Sequence, residues 1–285
     1  MKKIIITIIL SILLMIGNSQ QNRSYVIYNQ NGKKVSFKKT IKSLTKSNVI
    51  LFGEYHDNVI SHWLELEIIK ELLKSSNICV GAEMFESDIQ STLSQYMKGS
   101  IGFEEFQSKS RLWSNYETDY SPIVEFLKKN NIPLYATNIP RKYARMVFKN
   151  GGFSALDSLN KIEKSHIAPL PIEFDINLPQ YKKMLSMIGD HSSNDIVKAQ
   201  AIKDATMAYF ILKNFKNNSI FFHLNGAYHS DFYEGILWYL KLKNQSIKYK
   251  TLSTVNQENV NKLEKENYNR ADFIICVNSN IPKTH

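Results

Sequence analysis

From Asn48 onward, short apolar runs alternate with longer stretches in which apolar residues recur three or four positions apart. NVILFGE (Asn48–Glu54), ICVGAEMF (Ile78–Phe85), PLYATN (Pro133–Asn138) and SIFFHLNG (Ser219–Gly226) are rich in β-branched and aromatic residues. They have little polar alternation, which is the pattern of strands buried on both faces. KYKTLST (Lys248–Thr254) and ADFIICV (Ala271–Val277) read as two further strands. VISHWLELEIIKELL (Val59–Leu73), DIVKAQAIKDATMAYFILKNF (Asp195–Phe215) and GILWYLK (Gly235–Lys241) carry helical spacing instead. YVIYNQNGKKVSF (Tyr25–Phe37) reads as a hairpin around Asn31–Gly32.

Strands alternating with helices predict an α/β fold with a largely parallel central sheet flanked by helices. Two mostly helical stretches, at about 86–131 and 142–190, fall between strands and read as helical caps on that sheet. There are no internal repeats and no low-complexity linker, so residues 20–285 are expected to form one domain. The first nineteen residues read differently. Lys2 and Lys3 precede the apolar run Ile4–Ile16, and Gly17-Asn18-Ser19 supplies small residues after it. That reads as a secretory signal peptide, the run being short for an uncleaved membrane anchor, and it implies export to a periplasmic or extracellular location. No cysteine follows the apolar run, so a lipid anchor is not expected there.

Composition is that of a globular protein, 43% hydrophobic and 22% charged. The net charge is +10, or +8 once Lys2 and Lys3 leave with the signal. Part of the excess, Lys33–Lys42, reads as solvated surface. A nucleic-acid partner is not expected of an exported chain, whereas an anionic ligand or membrane surface is compatible. The two cysteines, Cys79 and Cys276, each lie in a strand-like run. They read as buried free thiols, or as one disulfide if their strands are neighbours. Two cysteines exclude a thiolate zinc cluster, and there is no Cys-x-x-Cys-His.

The chemistry sits at the strand ends. The first run ends at Glu54, with His56 just past it; the second carries Glu83 near its end. The third ends at Asn138, followed by Arg141, and the fourth at Asn225-Gly226, followed by His229. In a parallel sheet these carboxyl ends share one edge, where ligands bind. Gln200 and Asp204 are four apart on the long helix, with Met207 and Ile211 continuing that face, so its first turns are expected to reach the same rim. A carboxylate as enclosed as Glu83 needs a partner, Arg141 or a metal. Of the remaining candidates, Asp57 reads as a helix cap, His62 as one turn into the helix, and His223 as a satisfied core histidine. Two carboxylates and two histidines can hold a divalent metal or act as acid and base. A large planar ligand such as haem also fits under the aromatic segment WSNYETDY, which holds Trp113, Tyr116 and Tyr120. No Gly-x-Ser-x-Gly elbow and no Gly-x-Gly-x-x-Gly turn is present.

GEYHDNVISH, AEMFE, WSNYETDYSPIVEFLK, ATNIPR, AQAIKDATMAYFI and HLNGAYHSDFYEGI occur in this order. Together they resemble ChaN-like proteins of the haem-binding uptake/Tiki superfamily, which is related to TraB-type proteins and erythromycin esterases. The resemblance spans Val49 to Cys276. It implies an exported haem-binding protein of haem or iron uptake, in a homodimer that stacks haems, with a tyrosine on iron and a histidine near a propionate. Tyr116 and Tyr120 are taken as the haem ligands because they stand beside Trp113. The hydrolase and metalloprotease relatives imply an alternative, a metal-dependent hydrolase. Glu54, His56, Glu83 and His229 would then hold the divalent metal, and with Arg141 they would form the catalytic set. Asn138, Gln200, Asp204 and His62 would support it. The lipid-anchoring cysteine found in many such proteins is missing here.

Overall fold

The structure, a computed structural model, describes residues 23–188 and 194–285. The signal segment therefore lies outside the described residues. Strands β1 (Tyr25–Asn29), β2 (Val49–Glu54), β3 (Ile78–Glu86), β4 (Leu134–Asn138), β5 (Ile220–Gly226), β6 (Tyr249–Gln257) and β7 (Phe273–Asn278) form one sheet of order β1-β7-β6-β2-β5-β3-β4. All neighbours are parallel except β1, which runs antiparallel to β7 at the edge. The helices are α1 (Phe37–Leu44), α2 (Val59–Leu73), α3 (Gln90–Met97), α4 (Phe103–Lys109), α5 (Ser121–Lys129), α6 (Arg141–Lys149), α7 (Lys161–Lys164), α8 (Pro179–Ile188), α9 (Asp195–Asn214) and α10 (Ile236–Lys243). No helix among the described residues is long and apolar enough to cross a membrane.

The central strands are apolar on both faces because both faces are covered. On one face Ile50, Phe52, Val80 and Phe222 pack against α2 and the stretch between β3 and β4. On the other, Val49, Leu51 and Phe221 pack under α9 and α10. In α2, Leu64, Ile68, Ile69 and Leu72 are fully buried, and each contributes about 1.5–3 kcal/mol. The second inserted stretch, α6 to α8, makes its own cluster through Tyr143, Val147 and Leu156 against Ile202 of α9.

Two local expectations are corrected. The hairpin lacks its second strand: the turn after β1 closes with a single bridge, Tyr28 to Lys34. Ser36 then accepts a bond from Lys39 N and starts α1, while β1 takes its full ladder from β7. Asp57 does not cap α2; Asn58 does, accepting from the backbone of Ile60 and Ser61 at 3.1 and 3.0 Å. Asp57 instead pairs with Lys283 near the C-terminus. Cys79 on β3 and Cys276 on β7 are both free and buried, on strands that are not neighbours.

Candidate functional site

The carboxyl edge of β2, β5, β3 and β4 gathers the polar strand ends, with β2 and β5 at its centre. Glycine permits the close approach there. A Cβ on Gly53 would meet the Ala227 backbone at 2.8 Å, and one on Gly226 would meet His56 Cε1 and Nε2 at 2.8 Å. The His56 ring therefore lies directly over the end of β5. In β3 the register shifts after Ala82. Met84 and Phe85, adjacent in sequence, consequently both join the same core cluster, and a regular pleat would have separated them.

Behind β2, Glu54 is 2% exposed. Its Oε1 accepts from His56 Nδ1 and from the Tyr120 hydroxyl, both at 2.7 Å. Burial alone would raise the Glu54 pKa, but the His56 hydrogen bond and the His62 charge reverse this and hold it at about 2. For His56, burial works downward, yet the bond to Glu54 and the charge of Glu83 outweigh it and its pKa is raised. No described group bonds His56 Nε2, and the side chain is 41% exposed. The second Glu54 oxygen, Oε2, has no hydrogen-bond partner and lies 3.4 Å from His62 Nδ1. His62 is buried; its Nε2 bonds the His56 carbonyl at 3.1 Å, and its Nδ1 is 3.2 Å from Glu65 Oε2. Glu65 is fully buried, and that burial, with the Glu54 charge beside it, pushes its pKa well above the carboxylate range.

The β5 side is built differently. His229 Nε2 is 3.1 Å from Glu83 Oε1, and Nδ1 is 2.5 Å from Asp204 Oδ1. Gln200 places its amide 2.9 Å from Nδ1. The other Glu83 oxygen accepts from Gly226 N at 2.7 Å, and the other Asp204 oxygen accepts from the Tyr181 hydroxyl at 3.3 Å. Burial opposes a charge on His229, but Glu83 and Asp204 together raise its pKa to about 10. Against the same burial, His229 holds Glu83 well below the ordinary carboxylate range. The first turns of α9 thus reach the rim through Gln200 and Asp204, as their spacing implies.

The rim set is therefore brought together, with corrections. Arg141 does not pair with Glu83; it stands exposed at the start of α6. Asn138 touches Glu83 only through its backbone, donating to the carbonyl at 3.1 Å. Glu54, His56, Glu83 and His229 do not converge on one cation, because both His229 nitrogens and both Glu83 oxygens already face protein partners. Among the described residues, the group that can share a metal is Glu54, His62 and Glu65. Neither candidate haem tyrosine opens outward. The Tyr116 hydroxyl is buried without a partner in a cluster with Phe85, Phe103 and Phe106, and the Tyr120 hydroxyl is committed to Glu54. His223 is a core histidine, bonded to Thr137 and Asn225 at 2.8 and 3.0 Å, and burial lowers its pKa to about 4.

Two groups went unnoticed in the sequence. Glu65 follows His62 by three residues, so the two share a helical face, and its place between Leu64 and Leu66 was a visible signal. Tyr55 lies inside GEYH and lines the open cleft that also holds His56 and His229.

Two clefts flank His56. One, of about 460 Å3, is lined by His56, Trp113, Leu112, Arg111 and Arg141. The Trp113 ring meets the His56 ring edge-on at 4.8 Å. Arg111 is engaged by Glu86 and Asp88, whereas among the described residues no ion pair holds Arg141. The other cleft, of about 560 Å3, is lined by His56, Tyr55, Tyr228, Gln200 and His229.

A family model described as "Haem-binding uptake, Tiki superfamily, ChaN" matches residues 40–240. The fold is similar to that of ChaN of Campylobacter jejuni, from a structure titled for cofacial heme binding. The TM-score is 0.67 at 20% identity, covering 90% of this chain and 98% of that one. A Bacillus cereus protein is similar at a TM-score of 0.51 and 10% identity, covering 89% of this chain and 94% of that one. At these identities the likeness is one of fold. No curated protein matches this chain.

Proposed function

The chain belongs to the haem-binding uptake family of the Tiki superfamily, ChaN, and on that premise we propose that it binds haem at the His56–Trp113 cleft as an exported component of haem or iron uptake. The observation that carries this is an imidazole nitrogen left free on a cleft that also offers an aromatic face and an unpaired guanidinium. Trp113 and Leu112 suit a porphyrin plane, and Arg141 suits a propionate. His56 Nε2 is the open donor for iron, and Glu54 orients the ring by accepting from Nδ1. Haem itself would supply redox-active iron. The Campylobacter protein binds haem cofacially. For this chain the same arrangement would set two clefts face to face in a homodimer. Export rests on the pattern of the first nineteen residues, and membrane association on the basic surface.

Haem titration of the mature protein tests this. A saturable shift of the Soret band is expected, weakened at least tenfold in His56→Ala and retained in Tyr55→Phe. No shift in the unmodified protein would sink haem binding. Loss in Tyr55→Phe with retention in His56→Ala would move the iron to Tyr55.

A second reading rests on the Glu54–His56 pair: a carboxylate-oriented imidazole with a free Nε2 is the arrangement of a general base. It would make the rim hydrolytic, with the cationic His229 beside it stabilising negative charge. Turnover of an ester and peptide panel that is lost in His56→Ala would favour it over haem carriage.

A further inference from the structure

We propose that Glu54, His62 and Glu65 form a buried binding site for one divalent first-row transition-metal cation, behind the cleft and separate from the haem reading. The His62 tautomer comes first. Its Nε2 faces the His56 carbonyl at 3.1 Å. A carbonyl only accepts, so Nε2 carries the hydrogen. In the tautomer that could bind a metal, the Nδ1 lone pair points at two carboxylate oxygens, Glu65 Oε2 at 3.2 Å and Glu54 Oε2 at 3.4 Å. Three acceptors facing one another need a positive species between them, either a proton or a metal ion.

Two further observations favour the metal. Glu54 Oε2 and Glu65 Oε1 find no described partner beyond the two facing carboxyls themselves, in side chains that are 2% and 0% exposed. An orphaned carboxylate oxygen in the interior is destabilising unless something fills its place. The spacing also fits. Zinc bonds of about 2.0–2.1 Å at tetrahedral angles set ligand atoms about 3.3–3.4 Å apart. The two measured separations, 3.2 and 3.4 Å, fall beside that value. An imidazole that gives its second N–H to a backbone carbonyl is the usual outer support of a metal-bound histidine. One nitrogen and two carboxylates suit zinc, manganese or ferrous iron rather than calcium. Glu54 would bridge two duties: Oε2 toward the cation and Oε1 toward His56 and Tyr120. Occupancy of the buried site would thereby set the orientation of the ring that faces the cleft.

The test is equilibrium dialysis of the chelator-treated full chain against zinc alone, with cobalt substitution read by its visible d–d bands. One equivalent of zinc is expected. Glu65→Gln and His62→Gln should each weaken binding at least a hundredfold. Glu67→Gln, on the same helix and paired with Lys70 instead, should leave it within about threefold. The cobalt form should show tetrahedral or five-coordinate bands in the unmodified protein, a readout that needs no variant to fold. Two results would overturn the proposal. In one, the unmodified protein binds no stoichiometric zinc, leaving a shared proton between the carboxylates. In the other, His56→Gln loses as much affinity as His62→Gln, placing the cation at the rim. Haem binding can fail while zinc binds, so the two readings fall separately.

Discussion

The two sides of the rim use the same residue types and differ in how completely their polar groups are matched. On the β5 side, two carboxylates flank one histidine, and all four oxygens of Glu83 and Asp204 have partners. On the β2 side, Glu54, Glu65 and Asp119 crowd around His62, and two oxygens are left over. One side is closed, with every carboxylate oxygen matched. The other leaves two carboxylate oxygens unmatched and carries the His56 imidazole, whose Nε2 faces a cleft without a described partner. A buried polar cluster is costly in proportion to its unmatched groups. The unmatched side is therefore where a ligand, a cation or a proton has to enter.

Substitutions that break each side separately expose this difference most strongly. His229→Ala would strand Glu83 and Asp204 as buried carboxylates, and a loss of about 3–5 kcal/mol is expected in urea unfolding. Glu65→Gln, in metal-free protein, replaces a carboxyl whose ionisation burial and the Glu54 charge already disfavour with an amide of the same shape. Its expected cost is under about 1 kcal/mol. Equal losses in both variants would erase the distinction between the two sides.

Proton concentration separates histidines on one strand end. His223 has its folded pKa lowered to about 4 from 6.5. The unfolded chain therefore binds more protons between those values, and stability falls as pH falls through the window. The loss is on the order of 3 kcal/mol by pH 4. His229 has the opposite sign: its folded pKa is raised to about 10. Its contribution is complete below pH 6.5 and is lost as pH rises toward 10. Unfolding midpoints of His223→Gln and the unmodified protein, compared across pH 4–7, should converge at the acid end.

Much of this architecture was legible in the sequence. The six long apolar runs became β2 to β7, and their polar ends met on one edge because a parallel sheet forces them to. His223, midway along an apolar strand, was readable as a core residue for the same reason. The pairings were not legible. Arg141 is the natural partner for a buried glutamate by charge, but α6 begins beyond the rim and leaves it in solvent, while His229 reaches Glu83 through the turn after Gly226. Tyr116 stood beside Trp113 in sequence, yet the segment Tyr116–Tyr120 is wound as a π-helical turn that sends its hydroxyl into the aromatic core. Periodicity reports which face a residue occupies, and which groups meet across faces depends on turns and bulges that leave little trace in the pattern.

The smaller effects belong to the open side. Below the raised pKa of His56, protonation of its ring competes with iron, so haem affinity should fall by about tenfold per pH unit. Glu54→Gln should shift that dependence to lower pH, because it removes the hydrogen bond and charge that favour imidazolium. Haem titrations at a series of pH values measure both. A pH-independent affinity would mean that His56 does not touch the iron, and the contrast between the sides would then rest on the cation site alone.

Arg141 gives the weakest and most specific test. It is exposed and unpaired, so its contact with a propionate would be a solvent-screened ion pair worth about 0–1 kcal/mol. Arg141→Ala should weaken haem binding no more than about fivefold, and added salt should shrink the difference. Arg111, held by Glu86 and Asp88, is already neutralised, so Arg111→Ala should do less to affinity. An Arg111 effect larger than that of Arg141 would turn the ligand around in the cleft, with its propionates toward β3 rather than toward the start of α6.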